Sequence, residues 1–265
     1  GQSADYLAKG PLITVDALRP DHLGAYGYER PVSPHIDAFA REAVTFRDVT
    51  AQAPRTMRSM PSALTGMYPA QIAFGDQHVW PDLLPVNVTL AEGLGGTHST
   101  AVVMATSYFE NVPTLFQGFT QVTLSDLQKA ERSWAVNTSI DRIDELSARD
   151  RPFFVWTHLF NVHEPTLHDR SVSLFGPGQI GSYDTEVLYA DREIGRLLEH
   201  LETRGLAENT IVVLASDHGE ALGEHGMWGH SSSLYTEQVA SVLIINAPGF
   251  TPRTVSAPVA LMDIF

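Results

Sequence analysis

Four residues with metal-binding or acid–base side chains each follow a short apolar run in the sequence. They are Asp16, His163, Asp217 and His218. Carboxylate oxygens and neutral imidazoles together suit a borderline divalent ion such as zinc or manganese, with calcium or magnesium as alternatives. A single Asp after a strand is more often a turn former or a helix cap. The prediction of a metal site therefore rests on the group and not on any one member.

The segment that continues from Asp217 is unusual in composition. Four Gly, three His and two Glu occur between Asp217 and His230. Such a segment packs poorly into a core, because glycine adds no apolar side chain and His and Glu are costly to bury unpaired. We interpret it as a loop that belongs to a functional site.

The apolar runs themselves predict the elements that must position these residues. We expect strands over residues 11–15, 98–104, 153–159, 210–215 and 240–245, with a possible strand over 45–49. We expect helices over residues 34–43, with Ser33 as N-cap and Pro34 at the first position, over 58–65 closed by Gly66, within 125–149 and over 183–204. Apolar strands separated by helices predict an α/β fold with a mostly parallel central sheet and helices on both faces. Ligands of such sheets bind beyond the carboxyl ends of the strands, which is where the four residues lie.

Composition and charge exclude several classes of function. The chain has 265 residues, a net charge of −14 and no cysteine. The acidic balance argues against binding to a nucleic-acid backbone. The absence of Cys removes disulfides, thiolate nucleophiles and Cys-based zinc sites. No signal peptide is visible at the start, and no apolar run is long enough to predict a membrane span.

The sequence does not match several common catalytic motifs. The segment from His163 to His168 misses H-E-x-x-H by one position and contains Pro165. The segment from Gly229 to Ser233 lacks the final Gly of a nucleophile elbow, and no Gly-Lys pair exists for a P-loop.

Several segments, taken in order, resemble the sulfatase family of the alkaline phosphatase superfamily, and together they cover nearly the whole chain. They are Ile13-Thr-Val-Asp16-Ala-Leu-Arg19-Pro-Asp21-His-Leu-Gly24, Ser33-Pro-His-Ile-Asp37, Ser62-Ala-Leu-Thr65-Gly66-Met-Tyr68-Pro69, His163-Glu-Pro165, Tyr183-Asp-Thr-Glu186, Ser216-Asp217-His218-Gly219-Glu220 and Gly223-Glu224-His225-Gly226.

This resemblance implies a catalytic domain over residues 1–265, with one divalent cation, or two in some branches. It implies hydrolysis or transfer of phosphate, phosphonate or sulfate esters, small or linked to a glycan or lipid, through a covalent intermediate. Family members usually continue into a smaller C-terminal subdomain. The chain stops inside an amphipathic segment, Val259 to Phe265, so we expect a fragment of a longer chain, although an ordinary C-terminal helix is the alternative. Many relatives carry a secretion signal or membrane anchor, which implies an extracytoplasmic location.

The resemblance also implies roles for individual residues. Asp16, Asp217 and His218 match metal ligands of the family, while Ala17 stands where typical arylsulfatases have a second Asp. Thr56 lies ten positions before Gly66, which is the nucleophile position of the family. The resemblance implies that Thr56 also contacts the metal.

The formylglycine signature of sulfatases is absent. That motif has Cys or Ser at the nucleophile position, with Pro two and Arg four residues later, whereas this chain has Thr56, Arg58 and Met60. A threonine resembles instead the phosphoethanolamine transferases and lipoteichoic acid synthases of the superfamily. His163 and His230 match histidines near the substrate group in that branch.

Physical chemistry supports the same candidates. Thr56 lies near the start of a predicted helix, where backbone N–H groups favour an anion, although a threonine there could simply cap the helix. A hydroxyl is a poor nucleophile until a metal or a base lowers its pKa. Arg58 could bind the substrate anion or be a solvated surface residue. His163 and His230 could bind ester oxygens or protonate the leaving group, or be structural histidines.

We therefore predict a metal-dependent hydrolase in which Thr56 attacks an ester, with phosphorus favoured over sulfur. Three alternatives stay open: a true sulfatase, a transferase of the phosphoethanolamine type, and a catalytically inactive binding protein on the same fold.

Overall fold

A central sheet of eight strands is the frame of the computed structural model, which describes residues 9–75, 81–106, 108–125, 131–163 and 173–265. The strands within these residues are β1 Gly10–Val15, β2 Val44–Phe46, β3 Val49–Thr50, β4 Ser99–Met104, β5 Gln121–Leu124, β6 Phe153–Leu159, β7 Val212–Ser216, β8 Ala221–Leu222, β9 Trp228–Gly229, β10 Leu243–Asn246, β11 Arg253–Val255 and β12 Val259–Ala260. The α-helices are α1 Pro34–Arg41, α2 Thr56–Thr65, α3 Leu90–Gly95, α4 Trp134–Ser147, α5 Gln179–Thr203 and α6 Thr236–Val239.

The sheet has the order β11-β2-β10-β7-β1-β6-β4-β5, and β10 alone among these strands runs antiparallel to its neighbours. The pairs β3–β12 and β8–β9 form two small ribbons beside it. The mostly parallel sheet expected from the sequence is confirmed. The central strands β7, β1 and β6 all end at the same edge, so the residues that follow them are brought together.

Two apolar cores lie on opposite faces of this sheet. Alternate residues of β1 point to different faces, with Ile13 in one core and Leu12 in the other. The first core packs against α1, α4 and α5, and the second against α2 and α3. One face of α5 is part of the first core, and its buried apolar residues include Val187, Ala190, Ile194, Leu197 and Leu201. Helices on both faces are therefore confirmed as well.

The start of α1 is capped differently from the expectation. Ser33 occupies the N-cap position, but its hydroxyl makes no capping bond. It accepts from the N–H of Gly24 and donates to the carboxylate of Asp37 instead. The carboxylate of Asp191, from α5, accepts from the N–H groups of His35 and Ile36. A carboxylate on another helix supplies the cap, which no local pattern could show.

Element boundaries differ from the expected ones in several places. Helix α5 begins at Gln179 rather than residue 183, and the possible strand over 45–49 is two strands, β2 and β3. The predicted strand over 240–245 begins only at Leu243. Helix α3 was not expected, although Thr89 and Glu92 form a capping box at its start. The C-terminal segment forms β12 and one 3₁₀ turn, Leu261–Ile264. None of the helices in the described part of the chain has the length and hydropathy needed to span a membrane.

Candidate active site

Strands β1 and β7 place two carboxylates side by side at the carboxyl edge of the sheet. Val15 and Ser216 are paired in register as the last residues of these strands, so Asp16 and Asp217 follow at the same level. The N–H of Ala17 donates to Oδ1 of Asp217 across 3.1 Å. Ala17 is buried and has a left-handed φ of 57°, a conformation that Asp and Asn adopt more readily than Ala. The backbone therefore turns sharply after Asp16, and the carboxylate of Asp16 lies beside that of Asp217.

Asp16, Asp217 and His218 form a cluster that could hold a metal ion, with ligand atoms all within 4.8 Å of one another. Nε2 of His218 lies 3.7 Å from Oδ1 of Asp16 and 3.5 Å from Oδ2 of Asp217. All three side chains are fully buried, and neither of these carboxylate oxygens has a hydrogen-bond partner in the part of the chain that the structure describes. Buried carboxylate oxygens without donors are costly, so the cluster fits a cation.

The orientation of His218 supports the same conclusion. Its Nδ1 lies 2.8 Å from the carbonyl oxygen of Gly219, which can only accept, so Nδ1 carries the proton. The lone pair of the neutral ring is then on Nε2, which faces the two carboxylates. This is the usual arrangement of a histidine ligand, with a carbonyl fixing the tautomer.

Thr56 is the first residue of α2, and its hydroxyl points into this cluster. Oγ1 lies 3.0 Å from Oδ2 of Asp16 and 3.3 Å from Nε2 of His218. The residue is 8% exposed, so a small group can still reach it. Arg55, and not Thr56, is the N-cap residue of α2, so the alternative that Thr56 caps this helix is not supported. The structure thus brings together the predicted nucleophile and the predicted metal ligands.

His230 stands beside the cluster and is held by Glu220. Nδ1 of His230 is 3.2 Å from Oε1 and 3.3 Å from Oε2 of the fully buried Glu220. Burial alone would lower the pKa of His230, but the hydrogen bond and charge of Glu220 raise it to about 8. The raised pKa favours the protonated ring at neutral pH. Glu220, to which the sequence assigned no role, thus raises the pKa of His230.

His163 belongs to the same group of rings. Its ring centroid is 5.0 Å from that of His230, and His230 is 4.5 Å from His218. Burial favours a neutral Asp16, but its neighbours His163, His158 and His218 outweigh burial and hold the pKa of Asp16 well below its usual range. His163 is the last residue of the described range 131–163, so Glu164 and Pro165 lie outside the described residues.

His158 is a residue that the sequence analysis missed. It lies in β6, is fully buried, and has Nε2 at 3.6 Å from Oδ2 of Asp16. A histidine within an otherwise apolar strand, next to the strand end, was the available signal. It went unused because a lone buried histidine is commonly structural.

Arg58 faces a different neighbour from Thr56. Its guanidinium lies over the ring of Phe74, 4.2 Å from the centroid. Burial and the nearby charge of Arg55 lower its pKa. Its role as a substrate-binding residue stays a prediction.

Two structural anchors hold the loops around the site. The buried guanidinium of Arg19 donates to the carbonyl of Glu220 at 2.9 Å and to the carboxylate of Glu224 at 2.7 Å. The N–H of Ser231 donates to the carbonyl of Pro54 at 2.8 Å, which ties the His230 loop to the segment before α2. These contacts hold the loop after β7 against the loop after β1 and against the segment before α2.

A mostly parallel sheet with helices on both faces thus brings a buried Asp/Asp/His cluster that could hold a metal ion next to a hydroxyl at the start of a helix. The family model named Sulfatase matches residues 12–265. The chain belongs to the sulfatase family.

Individual relatives agree with this assignment. Iduronate 2-sulfatase of Mus musculus is 24% identical, with 100% of this chain and 63% of that protein covered. Putative transferase YhbX of Escherichia coli is 26% identical, with 78% and 37% covered. The solved structure of the putative sulfatase YidJ from Bacteroides fragilis has a TM-score of 0.79 at 19% identity and covers 100% of this chain and 73% of that one. The same fold occurs in a protein of the alkaline phosphatase superfamily from Vibrio parahaemolyticus, with a TM-score of 0.72 at 18% identity, covering 97% and 64%. The chain thus spans less than two thirds of the length of iduronate 2-sulfatase and of YhbX.

Proposed function

We propose that the protein is a metal-dependent esterase that cleaves a phosphate or phosphonate ester through a covalent intermediate on Thr56. One observation carries this proposal, namely that the Thr56 hydroxyl lies 3.0 Å from Asp16 and 3.3 Å from His218. A nucleophile must be within hydrogen-bond reach of the group that activates it. The hydroxyl also sits at the N-terminus of α2, where free backbone N–H groups favour an anionic ester.

The residues that would hold the cation are Asp16, Asp217, His218 and the Thr56 oxygen. When bound, a divalent ion supplies charge that lowers the pKa of a coordinated hydroxyl and polarises the ester oxygens. Zinc or manganese suits the mixed oxygen and nitrogen donors, and calcium or magnesium is the alternative.

In the first chemical step, Oγ1 of Thr56 bonds to the ester phosphorus, and the bond from phosphorus to the leaving oxygen breaks. The hydroxyl proton is directed at Oδ2 of Asp16, its hydrogen-bond acceptor. The leaving oxygen takes its proton from His230, which Glu220 keeps protonated. His163, next to His230, is positioned to bind a non-bridging oxygen.

In the second step, water attacks phosphorus, and the bond from phosphorus to the Thr56 oxygen breaks. The Thr56 oxygen takes its proton back from Oδ2 of Asp16 as it leaves. The neutral His230 left by the first step accepts the proton of the attacking water, so the starting protonation state returns. Threonine requires this route, because its adduct has no second hydroxyl through which to eliminate. Phosphorus is favoured over sulfur for this reason, and because a phosphate adduct carries more charge for His163, His230 and the cation to neutralise.

The substrate class follows from the same chemistry. The anionic part of a small, glycan-linked or lipid-linked ester would bind next to Thr56, His163 and His230. We also propose that the protein acts outside the cytoplasm. The relatives named above include sulfatases, so a sulfate ester is the principal alternative.

Transfer to an acceptor other than water is a second candidate. It is favoured by the similarity to YhbX, whose name describes a putative transferase. Hydrolase and transferase share the first step and differ only in what attacks the Thr56 adduct.

Trapping the adduct tests the proposal. The metal-loaded protein is mixed with a nitrophenyl phosphonate monoester, quenched in acid and analysed by peptide mass spectrometry. We expect the added group on the peptide that contains Thr56, and none in Thr56→Val. Nitrophenol release without a Thr56 adduct under any quench time would contradict the covalent mechanism. A hydrated aldehyde at residue 56 is not expected, and finding one would indicate a true sulfatase.

A further inference from the structure

Three buried side chains form a hydrogen-bonded chain that leads to the candidate site. Thr14 on β1 and His158 on β6 face each other in register. The Thr14 hydroxyl lies 2.6 Å from Nδ1 of His158, and the indole N–H of Trp156 donates to the same hydroxyl oxygen at 2.8 Å. All three residues are at most 1% exposed, so water does not compete for these groups.

The donors and acceptors in this chain fix the position of one proton. The indole nitrogen of Trp156 can only donate, so the Thr14 oxygen must accept from it. The remaining hydrogen of the Thr14 hydroxyl then points at Nδ1 of His158, its second partner. If Nδ1 carried a proton instead, two N–H groups would converge on one oxygen and the buried hydroxyl hydrogen would lose its acceptor. A neutral His158 therefore has its lone pair on Nδ1 and its proton on Nε2.

We propose that Trp156 and Thr14 hold His158 as the Nε2–H tautomer, so that His158 is a positioning residue for Asp16 and not a ligand of the cation. The part of this inference that concerns the cation rests on the proposed function. The assignment of the proton does not.

The geometry of Asp16 shows what such a donor does. Nε2 of His158 is buried without a hydrogen-bond partner among the described residues, and Oδ2 of Asp16 is 3.6 Å away. The same oxygen accepts from Thr56, whereas Oδ1 lies 3.7 Å from Nε2 of His218 and has no donor within the described ranges. An N–H at Nε2 attracts Oδ2 and leaves Oδ1 for the metal cluster. A lone pair at Nε2 would repel Oδ2 and disturb this division.

The first test reads the tautomer directly, in the full chain without added metal. The protein is labelled with ¹⁵N-histidine, its long-range ¹H–¹⁵N correlations are recorded near neutral pH, and His158→Asn identifies the signals of this ring. We expect Nδ1 to show the chemical shift of an unprotonated nitrogen and Nε2 that of a protonated one. A protonated Nδ1, in either the neutral or the cationic ring, would overturn the proposal.

The second test removes the Thr14 hydroxyl and keeps its shape. In Thr14→Val we expect a mixed or reversed tautomer of His158 and metal affinity lowered by about 10–100-fold, the range typical for residues behind a ligand. Trp156→Phe, which loses only the indole donor, should shift the tautomer in the same direction. The control is Thr157→Val, because Thr157 is equally buried but bonds to Ser139. It should keep both the tautomer and the affinity.

The outcomes separate this inference from the proposed function. An unchanged tautomer in both Thr14→Val and Trp156→Phe would overturn the role of these two residues. A tautomer change without any change in metal affinity would overturn the positioning of Asp16. If the expected tautomer is found and no divalent ion binds the wild-type protein at all, the proposed function fails while the proton assignment stands.

Discussion

The hydroxyl of Thr56 donates to Oδ2 of Asp16 across 3.0 Å, although the two residues are 40 positions apart in the chain. This bond joins the end of β1 to the first turn of α2. Asp16 thus offers one oxygen to the hydroxyl and the other to the metal cluster. A short threonine side chain can meet both groups only because α2 begins at this residue.

Replacement of Thr56 tests its role as nucleophile. Thr56→Val keeps the shape of the side chain but has no attacking oxygen, so kcat/KM should fall by about 10⁴-fold or more, as when other enzymes lose a nucleophile. Thr56→Ser keeps the oxygen and should retain measurable activity. The free energy of unfolding should drop by only about 1 kcal/mol in Thr56→Val, the typical contribution of one hydrogen bond. Steady-state kinetics and denaturant unfolding measure the two effects, and an active Thr56→Val would contradict the assignment.

Loss of a cluster carboxylate should abolish metal binding. In Asp217→Asn we expect metal content, measured after dialysis, to fall well below that of the wild-type protein. Chelation should lower the Tm of the wild type, because a ligand that binds only the folded state stabilises it by about 2.7 kcal/mol at one hundred times its Kd. Chelation should have little effect on the variant.

The matched control for Asp217→Asn is Asp141→Asn, on the exposed side of α4. It changes the net charge equally and should keep both the metal and the shift in Tm. Full metal occupancy in Asp217→Asn would show that the ion binds elsewhere.

The candidate site could be predicted to the extent that its residues follow strands. Asp16 and Asp217 lie where the sequence analysis expected them, because parallel strands end at one edge and their apolar runs are easy to recognise. Thr56 came from the family resemblance, since no local pattern marks a threonine as a nucleophile. His158 was missed because its contacts with Asp16 and with Thr14, 144 positions away, are tertiary, and a lone buried histidine is commonly structural.

The fold was predictable where periodicity is strong. Helix α5 was correct because its apolar residues recur on one face, and β6 was correct because the whole strand is buried. The capping of α1 by Asp191 was not predictable, since it is a tertiary contact between two helices. The antiparallel direction of β10 is likewise a property of the topology, because an apolar run carries no information about strand direction.

A buried carboxylate away from the site should dominate stability in acid. Asp184 is fully buried and accepts from His22, Tyr28 and Arg30, each at 2.7 Å. Burial opposes the charge, but these donors outweigh it and lower the pKa of Asp184 below 3.8. A lowered pKa stabilises the folded state above the unfolded value, and this stabilisation is lost as pH falls through the folded pKa.

Asp184→Asn should therefore lower the free energy of unfolding by about 2 kcal/mol at pH 7, within the range for a hydrogen bond to a charged group, because Arg30 is partly exposed and its charge is screened. The difference from wild type should shrink at pH values below the folded pKa of Asp184. Urea unfolding at a series of pH values measures it. A constant difference down to that range would show that size and shape, not charge, are responsible.

The pair of Glu220 and His230 should control the pH dependence of activity. Glu220 raises the pKa of His230 from 6.5 to about 8, so the protonated form that serves as an acid persists at neutral pH. In Glu220→Gln the charge is lost, and the alkaline decline of kcat/KM should move from about pH 8 toward pH 6.5. The stabilisation from this pair is present below pH 6.5 and is lost as pH rises through about 8.

Glu224→Gln is the control for that experiment. Glu224 lies in the same loop but bonds to Arg19, so its loss should leave the alkaline limb in place. An unshifted limb in Glu220→Gln would remove His230 from the role of acid.

The choice between phosphorus and sulfur can be measured with a matched pair of substrates. A threonine adduct must be hydrolysed by attack on its central atom, which is open to metal-assisted, in-line substitution when that atom is phosphorus. A sulfate monoester on Thr56 carries less charge, so His163, the protonated His230 and the cation stabilise its reaction less. With nitrophenol as the common leaving group and the same metal, kcat/KM for the phosphonate monoester or phosphodiester should exceed that for the sulfate. Thr56→Val serves as the blank for both substrates, because any activity that survives it does not arise at this site. A clear preference for nitrophenyl sulfate that Thr56→Val abolishes would overturn the assignment to phosphorus and establish a threonine-dependent sulfatase.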